Sequence, residues 1–411
     1  MLSALGPVRS LLLAIFVLMS GSGVLSTLVS LRLERAGAGA VPIGIVGAAY
    51  FAGLTLGSLR APAVIARVGH IRAFSAFVAV LSAGSLALVI HRDPAFWALL
   101  RFANGLCLAG VYVCLESWLN TRAEGSSRGT VLAAYMVALY AGQAVGQPLL
   151  TSGRTEPALP FVVAAMLTSL AIVPVALTRS SGPASVEHPR FPLRRLYGVS
   201  PLGAVGVTAT GLMLGAFYGM AAVHVRRLGA DLPATTAFMT AVILGGVALQ
   251  WPLGWLSDRF DRRLVVLGAF AAAAAVSAGL ALVQAPGPGL MALGALFGGV
   301  SFALYPLCVA HANDRLEGDE RTGASSGLVL LYSAGAAVGP LGAAAAMAAF
   351  GGPGLFGFVA AVAGLALIFG VRRLGLTRPV PAALQRAYQA LPRTTPMTAA
   401  LEPADAPAED G

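Results

Sequence analysis

The stretch Asn120-Thr-Arg-Ala-Glu124, followed by Arg128, decides the fold of this chain because it occurs twice. A shift of 193 residues brings its charged and amide positions onto Asn313, Arg315, Glu317 and Arg321. The same shift, without a gap, superposes four further pairs: Tyr112 on Tyr305, Gly142 on Gly335, Val145 on Val338 and Gly146 on Gly339. Chance rarely holds register over such a length. The chain is therefore two copies of one half of roughly 195 residues.

The composition indicates a polytopic membrane protein. Apolar residues make up 57% of the 411 positions and charged residues 11%, whereas soluble domains carry about 25% charged residues. The 50 glycines are scattered without a period, as suits helices that pack closely in lipid. No part of the chain has the composition of a separate soluble domain.

The formal net charge of +10 comes from arginine, which accounts for all 27 basic residues. These arginines form short clusters between apolar runs, the pattern of the positive-inside rule, so we expect no nucleic-acid partner. Cys107, Cys114 and Cys308 lie inside apolar runs, and we interpret them as small packed residues. We find no His or Cys pair with metal-ligand spacing, and the sequence predicts neither a metal nor a cofactor.

The hydropathy pattern predicts twelve transmembrane helices. A bilayer-spanning helix needs roughly 20 apolar residues, and twelve such segments are present: 10–31, 42–60, 72–91, 95–118, 129–151, 158–178, 199–224, 234–256, 264–284, 288–312, 323–349 and 353–371. The predicted fold is an all-α membrane protein of two pseudo-symmetric six-helix bundles. Its predicted parts are an N-terminal bundle (1–178), a linker (179–197), a C-terminal bundle (198–374) and a disordered tail (375–411) rich in Pro and Ala.

The arginines predict the orientation. With the N-terminus in the cytoplasm, twenty arginines fall on the cytoplasmic side and seven on the other. This imbalance places both termini, the linker and the tail in the cytoplasm. Internal repeats that flank a site near the bilayer midplane are typical of secondary transporters.

The loop after the eighth apolar segment carries the most specific motif. Residues 254–263 read Gly-Trp-Leu-Ser-Asp-Arg-Phe-Asp-Arg-Arg. This resembles the loop motif Gly-x-Leu-x-Asp-Arg-x-Gly-Arg-Arg of the major facilitator superfamily and departs from it at Asp261. The resemblance implies a cytoplasmic gate in which a carboxylate at a helix end pairs with arginines. The matching residues are Gly254, Asp258, Arg259, Arg262 and Arg263.

The equivalent loop of the first half is an incomplete version of the motif. Arg67, Gly69 and Arg72 fit it, but Ala66 stands where the acid belongs. We therefore expect the carboxylate of the gate to come from the second half alone.

The fourth apolar segment carries a polar stripe. Arg101, Asn104, Tyr112 and Glu116 are spaced three, eight and four residues apart, which puts them on one face of a helix. Lipid rejects Arg and Glu by roughly 2.5–3.5 kcal/mol each, so this face must look into the protein. Arg101 with Gly105 resembles the superfamily's Arg-x-x-x-Gly pattern, which implies proton handling.

Glu116 leaves two interpretations open. The other acids fall in loops, tails or helix ends, so Glu116 is a candidate proton carrier within a span. It also lies one turn from Asn120, where it would be interfacial and would cap an arginine. With Gln143 and Tyr305, the stripe residues are our candidates for the solute or proton path. The remaining intramembrane tyrosines, among them Tyr140, Tyr218 and Tyr332, are interpreted as packed or interfacial residues.

Two Gly-Pro motifs lie in the fifth and eleventh segments. Residues 142–148 resemble the Gly-x-x-x-Gly-Pro motif of the superfamily's antiporters, with the proline displaced by one position. The cleaner copy, residues 335–340, lies in the eleventh segment. Both predict close helix packing and a bend at proline. The residues are Gly142, Gly146, Pro148, Gly335, Gly339 and Pro340.

The resemblance covers residues 10–372 and implies a transporter that works by alternating access. Glu116-Ser-Trp-Leu-Asn120 is similar to a sequence of an uncharacterised bacterial branch of the superfamily. We expect proton-coupled export of a small organic solute by a monomer in the bacterial inner membrane. The alternatives are an uptake permease for a sugar, amino acid or organic acid, and a non-transporting receptor. No convergent catalytic groups indicate an enzyme.

Overall fold

The structure, a computed structural model, describes residues 5–91, 93–123, 127–154, 156–177, 192–316, 320–376, 378–381 and 385–395. Within them, twelve helical stretches are long and apolar enough to cross a bilayer, which confirms the predicted number. Numbered in chain order, these spans are Gly6–Arg35, Ala40–Val68, His70–Ile90, Pro94–Arg122, Arg128–Arg154, Leu159–Ala176, Pro201–Arg227, Leu232–Arg259, Arg262–Leu282, Pro288–Asn313, Gly323–Phe350 and Gly354–Leu374. Spans 1–6 are called the N-half and spans 7–12 the C-half.

Several spans are longer than their apolar segments. Span 2 covers Ala40–Val68, whereas the segment predicted for it ends at residue 60. The helix continues past Arg60 because residues 61–68 are again mostly apolar, and it accommodates Pro62 in its interior. Spans 1, 5 and 6 are interrupted: span 1 breaks between Ser22 and Leu25, and span 5 turns into a 3-10 helix at Gln147. The predicted linker lies mostly outside the described residues, but Leu193–Val199 form a short helix.

Equivalent glycines pack equivalent spans in the two halves. A Cβ on Gly105 would lie 2.0 Å from the carbonyl oxygen of Tyr50, so span 4 touches the backbone of span 2. A Cβ on Gly298, 193 residues later, would likewise lie 1.9 Å from the carbonyl oxygen of Val242, where span 10 meets span 8. Any side chain would force these helices apart.

The two Gly-Pro motifs hold a second pair of helix crossings. A Cβ on Gly142 or Gly146 would lie 2.4–2.5 Å from a carbonyl oxygen of span 1, and one on Gly335 or Gly339 would lie 2.2–2.3 Å from one of span 7. Pro148 lies in the 3-10 helix Gln147–Arg154, just after the α-helix of span 5 ends. The motifs therefore form the packing surfaces of spans 5 and 11.

The two halves contact each other directly at one end of the molecule, here called the closed end. Arg227 Nε lies 3.1 Å from Glu34 Oε1, which joins span 7 to span 1. A Cβ on Gly44 would lie 2.7 Å from the carbonyl oxygen of Pro340, and one on Gly219 would lie 3.1 Å from the Pro340 ring. Spans 2, 7 and 11 thus meet with little space between them.

The opposite end, here called the arginine-rich end, holds the two loop motifs. Part of the C-terminal tail lies there, between the halves. We predicted a disordered tail, and for residues 385–395 the structure differs: Leu391 is 7% and Thr395 0% exposed. Composition does not reveal this placement because the segment packs against residues that are distant in the chain, from Asp314, 72 positions away, to Glu116, 279 positions away, and a local pattern carries no trace of such contacts.

Candidate functional site

The polar stripe of span 4 is buried. Arg101 and Glu116 are 2% and 0% exposed, and Asn104 and Tyr112 are similarly buried. Fifteen residues separate Arg101 from Glu116, which is about 22 Å along a helix. Arg101 lies towards the closed end and Glu116 towards the arginine-rich end, so the two charged groups do not pair.

Arg101 is held by one hydroxyl group and one ring. Its Nη2 donates to Ser26 Oγ at 2.7 Å, and the guanidinium carbon lies 4.0 Å from the centre of the Tyr50 ring. A cation on an aromatic face is favourable when water is excluded.

Asn104 faces span 3 instead of a pathway. Its Oδ1 would lie 2.3 Å from a Cβ on Gly84. Neither atom of its amide group has a hydrogen-bond partner among the described residues. Burial without a partner costs free energy, and the contacts indicate a packing position.

Glu116 is surrounded by hydroxyl groups. Tyr135 Oη donates to Glu116 Oε1 at 2.9 Å. The hydroxyls of Thr394 and Thr395, from the tail, donate to Oε1 and Oε2. The contacts described for this carboxyl group include no arginine, so the structure gives no support to the interpretation of Glu116 as a cap for an arginine.

A central cavity lies between the halves and encloses roughly 870 Å³, counted out to its opening. Spans 1, 2, 4 and 5 line it from the N-half and spans 7 and 11 from the C-half, together with tail residues 392–394. The lining is rich in hydroxyl groups: Ser22, Ser26, Tyr50, Tyr112, Tyr140, Tyr218, Tyr332, Ser333 and Thr394.

Some predicted path residues reach this cavity and others support its wall. Tyr112 and Gln143 line it, and Tyr218 Oη lies 3.5 Å from Gln143 Oε1 across the two halves. Tyr305 stacks edge-on against Tyr332, a lining residue, with ring centres 5.2 Å apart. Arg101 borders a smaller space that shares Tyr50 and Tyr218 with the cavity.

Sequence reasoning missed most of the aromatic lining. The sequence predicts Tyr140, Tyr218 and Tyr332 to be packed or interfacial residues, and it singles out neither Tyr50 of the lining nor Phe302 beside it. Tyr140 stacks on Phe302 across the halves, with ring centres 5.4 Å apart. A tyrosine that lines a cavity has the same helical spacing as one that packs. The signal that could have indicated the lining is that spans 2, 5, 7 and 11 each carry a tyrosine within the membrane.

The gate motif forms an ion-pair network within the C-half. Arg262, 1% exposed, contacts Asp314 through Nη1 at 2.7 Å and Asp258 through Nη2 at 2.9 Å. Its Nε donates to Ser257 Oγ at 3.0 Å. The resemblance implied pairing with neighbouring helix ends, and Asp314, just after span 10, supplies the second carboxylate. Asp314 lies within the duplicated loop, and the loop motif of residues 254–263 does not point to it.

The other motif residues have separate local roles. Asp261 begins span 9 by accepting from Arg263 N at 3.0 Å and pairs with Arg263 Nη2 at 2.6 Å. These hydrogen bonds from Arg263 lower the pKa of Asp261. Arg259 stacks on Trp255, 4.1 Å from the ring centre. Asp261 thus replaces the usual glycine with a helix cap.

The first-half motif makes no comparable network among the described contacts. Arg67 and Arg72 are exposed. Gly69 joins spans 2 and 3 with a φ of +86°, a conformation that favours glycine. Among the described residues, no cluster of three or more His, Cys, Asp or Glu side chains is placed to hold a metal ion.

Two helical bundles around a central cavity define a secondary transporter, and comparisons with known proteins agree. The chain belongs to the Major Facilitator Superfamily, whose family model matches residues 11–232 and 203–401. It is therefore an integral membrane transport protein and not an enzyme.

Relatives and solved structures are similar over nearly the whole chain. The "Uncharacterized MFS-type transporter YcaD" of Shigella flexneri serotype 5b is 31% identical over 385 residues, 92% of this chain and 98% of that protein. The protein of the same name from Escherichia coli strain HS is 31% identical over 381 residues, with the same coverage of both chains. The nucleoside transporter NupG superposes with a TM-score of 0.71 at 13% identity over 90% of this chain and 99% of its own. A bacterial homolog of the human lysosomal transporter Spinster, in an inward-facing and occupied conformation, superposes with a TM-score of 0.68 at 15% identity. The match covers 92% of this chain and 95% of that one. At such identities the two structures support the fold alone.

Proposed function

We propose that the chain is a proton-coupled exporter of a small organic solute. The observation that carries this proposal is the cavity itself, which both halves line and which direct contacts between the halves seal at the closed end. Alternating access requires a site between two rigid halves that opens to one side at a time. Parting Gly44 from Pro340 would open the closed end.

Glu116 is the group that we assign to the proton. It is buried and hydrogen-bonded to Tyr135, and one helical turn away Tyr112 lines the cavity. Its described partners are neutral hydroxyls, which stabilise both the ionised and the protonated carboxyl group. Asp314, by contrast, lies 2.7 Å from Arg262 Nη1, a cationic partner that favours the ionised carboxylate.

Export follows if solute and proton occupy the Glu116 site in turn, because competition for one carboxyl group couples their movements in opposite directions. The arginine distribution puts the arginine-rich end in the cytoplasm, so the cavity would load from there. We assign the chain to the bacterial inner membrane as a monomer with both termini cytoplasmic. The alternative, a proton-coupled uptake permease for a sugar, amino acid or organic acid, predicts the opposite response to a pH gradient.

The test has two stages. Purified protein is first screened by thermal shift against nucleosides, sugars, amino acids, organic acids and organic cations. Each stabilising compound is then measured for flux in proteoliposomes with and without a pH gradient. For an exporter, protons moving in one direction drive solute in the other; solute moving with the protons supports the permease. Binding without flux in either case supports a receptor.

Glu116→Gln separates coupling from transport. We expect this variant to exchange solute across the membrane but to lose the response to the pH gradient, because an amide takes up no proton. Glu156→Gln is the control, since Glu156 is an exposed loop acid of the same half. If the pH gradient still drives flux in Glu116→Gln, then Glu116 does not carry the proton.

A further inference from the structure

Residues 385–395, here called the plug segment, are anchored to the gate network at the arginine-rich end. Arg386 N donates to Asp314 Oδ1 at 3.1 Å, and the Arg386 carbonyl accepts from Arg262 Nη2 at 2.7 Å. Tyr388 N donates to Asp258 Oδ1 at 2.8 Å. Backbone N–H groups of the plug segment therefore donate hydrogen bonds to both carboxylates of the network.

From this anchor, the plug segment runs into the central cavity. Leu391 and Pro392 are buried, and Arg393 Nη2 donates to Tyr140 Oη at 3.1 Å. Tyr140 is twelve residues from Arg128, the start of span 5, which is about 18 Å of helix. The plug segment thus reaches deep between the halves.

The guanidinium group of Arg393 lies in an aromatic recess made by Tyr140, Phe302 and Tyr332. The guanidinium carbon is 4.6 Å from the centre of the Phe302 ring and 5.8 Å from that of Tyr332. Aromatic faces attract cations, and the attraction strengthens where water is excluded. The recess takes rings from both halves, so it is a site that rocking of the halves would take apart.

Thr394 and Thr395, which follow Arg393, connect the plug segment to the N-half. The hydroxyls of Thr394 and Thr395 donate to Glu116, the carboxyl group that we assign to the proton. The plug segment therefore contacts the gate network, the aromatic recess and Glu116 together, and a solute bound in the recess or at Glu116 would need the space and partners that the segment now takes.

We propose that the plug segment is an intramolecular competitor of the solute and that the aromatic recess is a site for an organic cation, with Arg393 in the place of the solute's cationic group. This inference rests on the proposed function in one respect, that the cavity is the solute's route. Tethering gives the plug segment a high effective concentration, so the free site would bind an organic cation more tightly than the plugged one. Movement of the halves would require the segment to leave.

The experiment measures binding of phenylguanidinium to the purified full-length protein by calorimetry. We expect Arg393→Ala to bind the probe about tenfold more tightly than the unsubstituted chain, because it removes the competing cation. Arg378→Ala is the matched control: Arg378 is an exposed arginine of the same tail, and its removal should leave the affinity unchanged. Equal affinities of all three proteins, or no binding to Arg393→Ala, would overturn the proposal.

Two further measurements use the Arg393→Ala protein. A synthetic peptide with the sequence of residues 385–395 should displace the probe, and the same peptide with Arg393→Ala should not. Adding Phe302→Leu should abolish probe binding, and adding Tyr140→Phe, which keeps the ring and loses one hydroxyl, should weaken it a few-fold. Displacement by both peptides alike, or probe binding insensitive to both substitutions, would contradict the assigned recess.

Failure of this inference is distinguishable from failure of the proposed function. Tighter probe binding by Arg393→Ala without any flux in proteoliposomes would contradict the proposed export and support the plugged cation site. Flux that responds to the pH gradient, with equal probe affinities in all variants, would support proton-coupled transport and contradict the plugged cation site.

Discussion

The N-half and the C-half share a backbone framework and divide the chemistry between them. Gly105 and Gly298 place spans 4 and 10 against their neighbours in the same way. Yet Arg101 and Glu116 of span 4 correspond to Gly294 and Val309 of span 10 at the 193-residue shift. The two halves have therefore kept the glycines that fix the helix crossings, whereas their buried charges differ.

The gate network shows the opposite asymmetry. Asp258 corresponds to Ala66 in the first-half motif, and Asp314 corresponds to Thr121 at the repeat shift, so the N-half has neither carboxylate. The network joins spans 8, 9 and 10 within one half and reaches the N-half through the plug segment. The C-half therefore carries the anchor of the arginine-rich end, and the N-half carries Glu116, the buried acid that is paired with hydroxyl groups and not with an arginine.

The largest expected effect tests whether the network stabilises the C-half. Arg262→Ala would leave Asp314, 2% exposed, as a buried carboxylate without its main partner. We expect a loss of about 3–5 kcal/mol in the free energy of unfolding, measured by denaturation in detergent. Arg259→Ala removes an exposed arginine that stacks on Trp255 and should cost under about 1 kcal/mol. Similar losses in both variants would refute the special role of Arg262.

The next effect tests the shared framework. Gly105→Ala and Gly298→Ala should each destabilise the protein by roughly 1–3 kcal/mol, because the new Cβ meets a carbonyl oxygen. Gly129→Ala and Gly268→Ala are controls in the N-half and C-half, since a Cβ at either site meets nothing within 4 Å. Thermal melting checks all four. One crossing that tolerates alanine while the other does not would break the equivalence of the halves.

Asp258→Asn tests the gate without removing the network. Arg262 keeps Asp314, and an asparagine oxygen can still accept from Tyr388 N, so stability should change by less than about 1 kcal/mol. We expect flux to fall by about tenfold, because the substitution weakens the charge-assisted hydrogen bond from Arg262 to residue 258. The free energy of one such bond corresponds to roughly a tenfold change. Asp231→Asn, a helix cap at the closed end, serves as the control. Unchanged flux at equal expression would show that Asp258 does not contribute to gating.

The smallest effect concerns the closed end. Glu34 and Arg227 join the two halves through a partly exposed ion pair, with 21% and 32% of their side chains accessible. A double-mutant cycle of Glu34→Gln and Arg227→Gln should give a coupling energy of at most about 1 kcal/mol. A larger value would mean that charge, and not glycine packing against Pro340, seals this end.

Much of the fold could be predicted because its signals are local or periodic. Twelve apolar stretches predict twelve helices, and the position of Arg101 and Glu116 on one helical face predicts their burial. The aromatic recess was missed because Tyr140, Phe302 and Tyr332 come from three spans and no spacing links them. The plug segment was missed because its composition is that of a disordered tail.

The duplication, the all-helical membrane fold and the unequal distribution of charge between the halves can all be predicted from the sequence. Apolar length and helical periodicity are enough for these features, since a bilayer requires helices of a certain length with polar faces turned inward. Three features depend on tertiary contacts: Asp314 completes the gate network, tyrosines of both halves line one cavity, and Arg393 enters it. Such contacts depend on where the helices cross, which is set by packing between residues far apart in the chain.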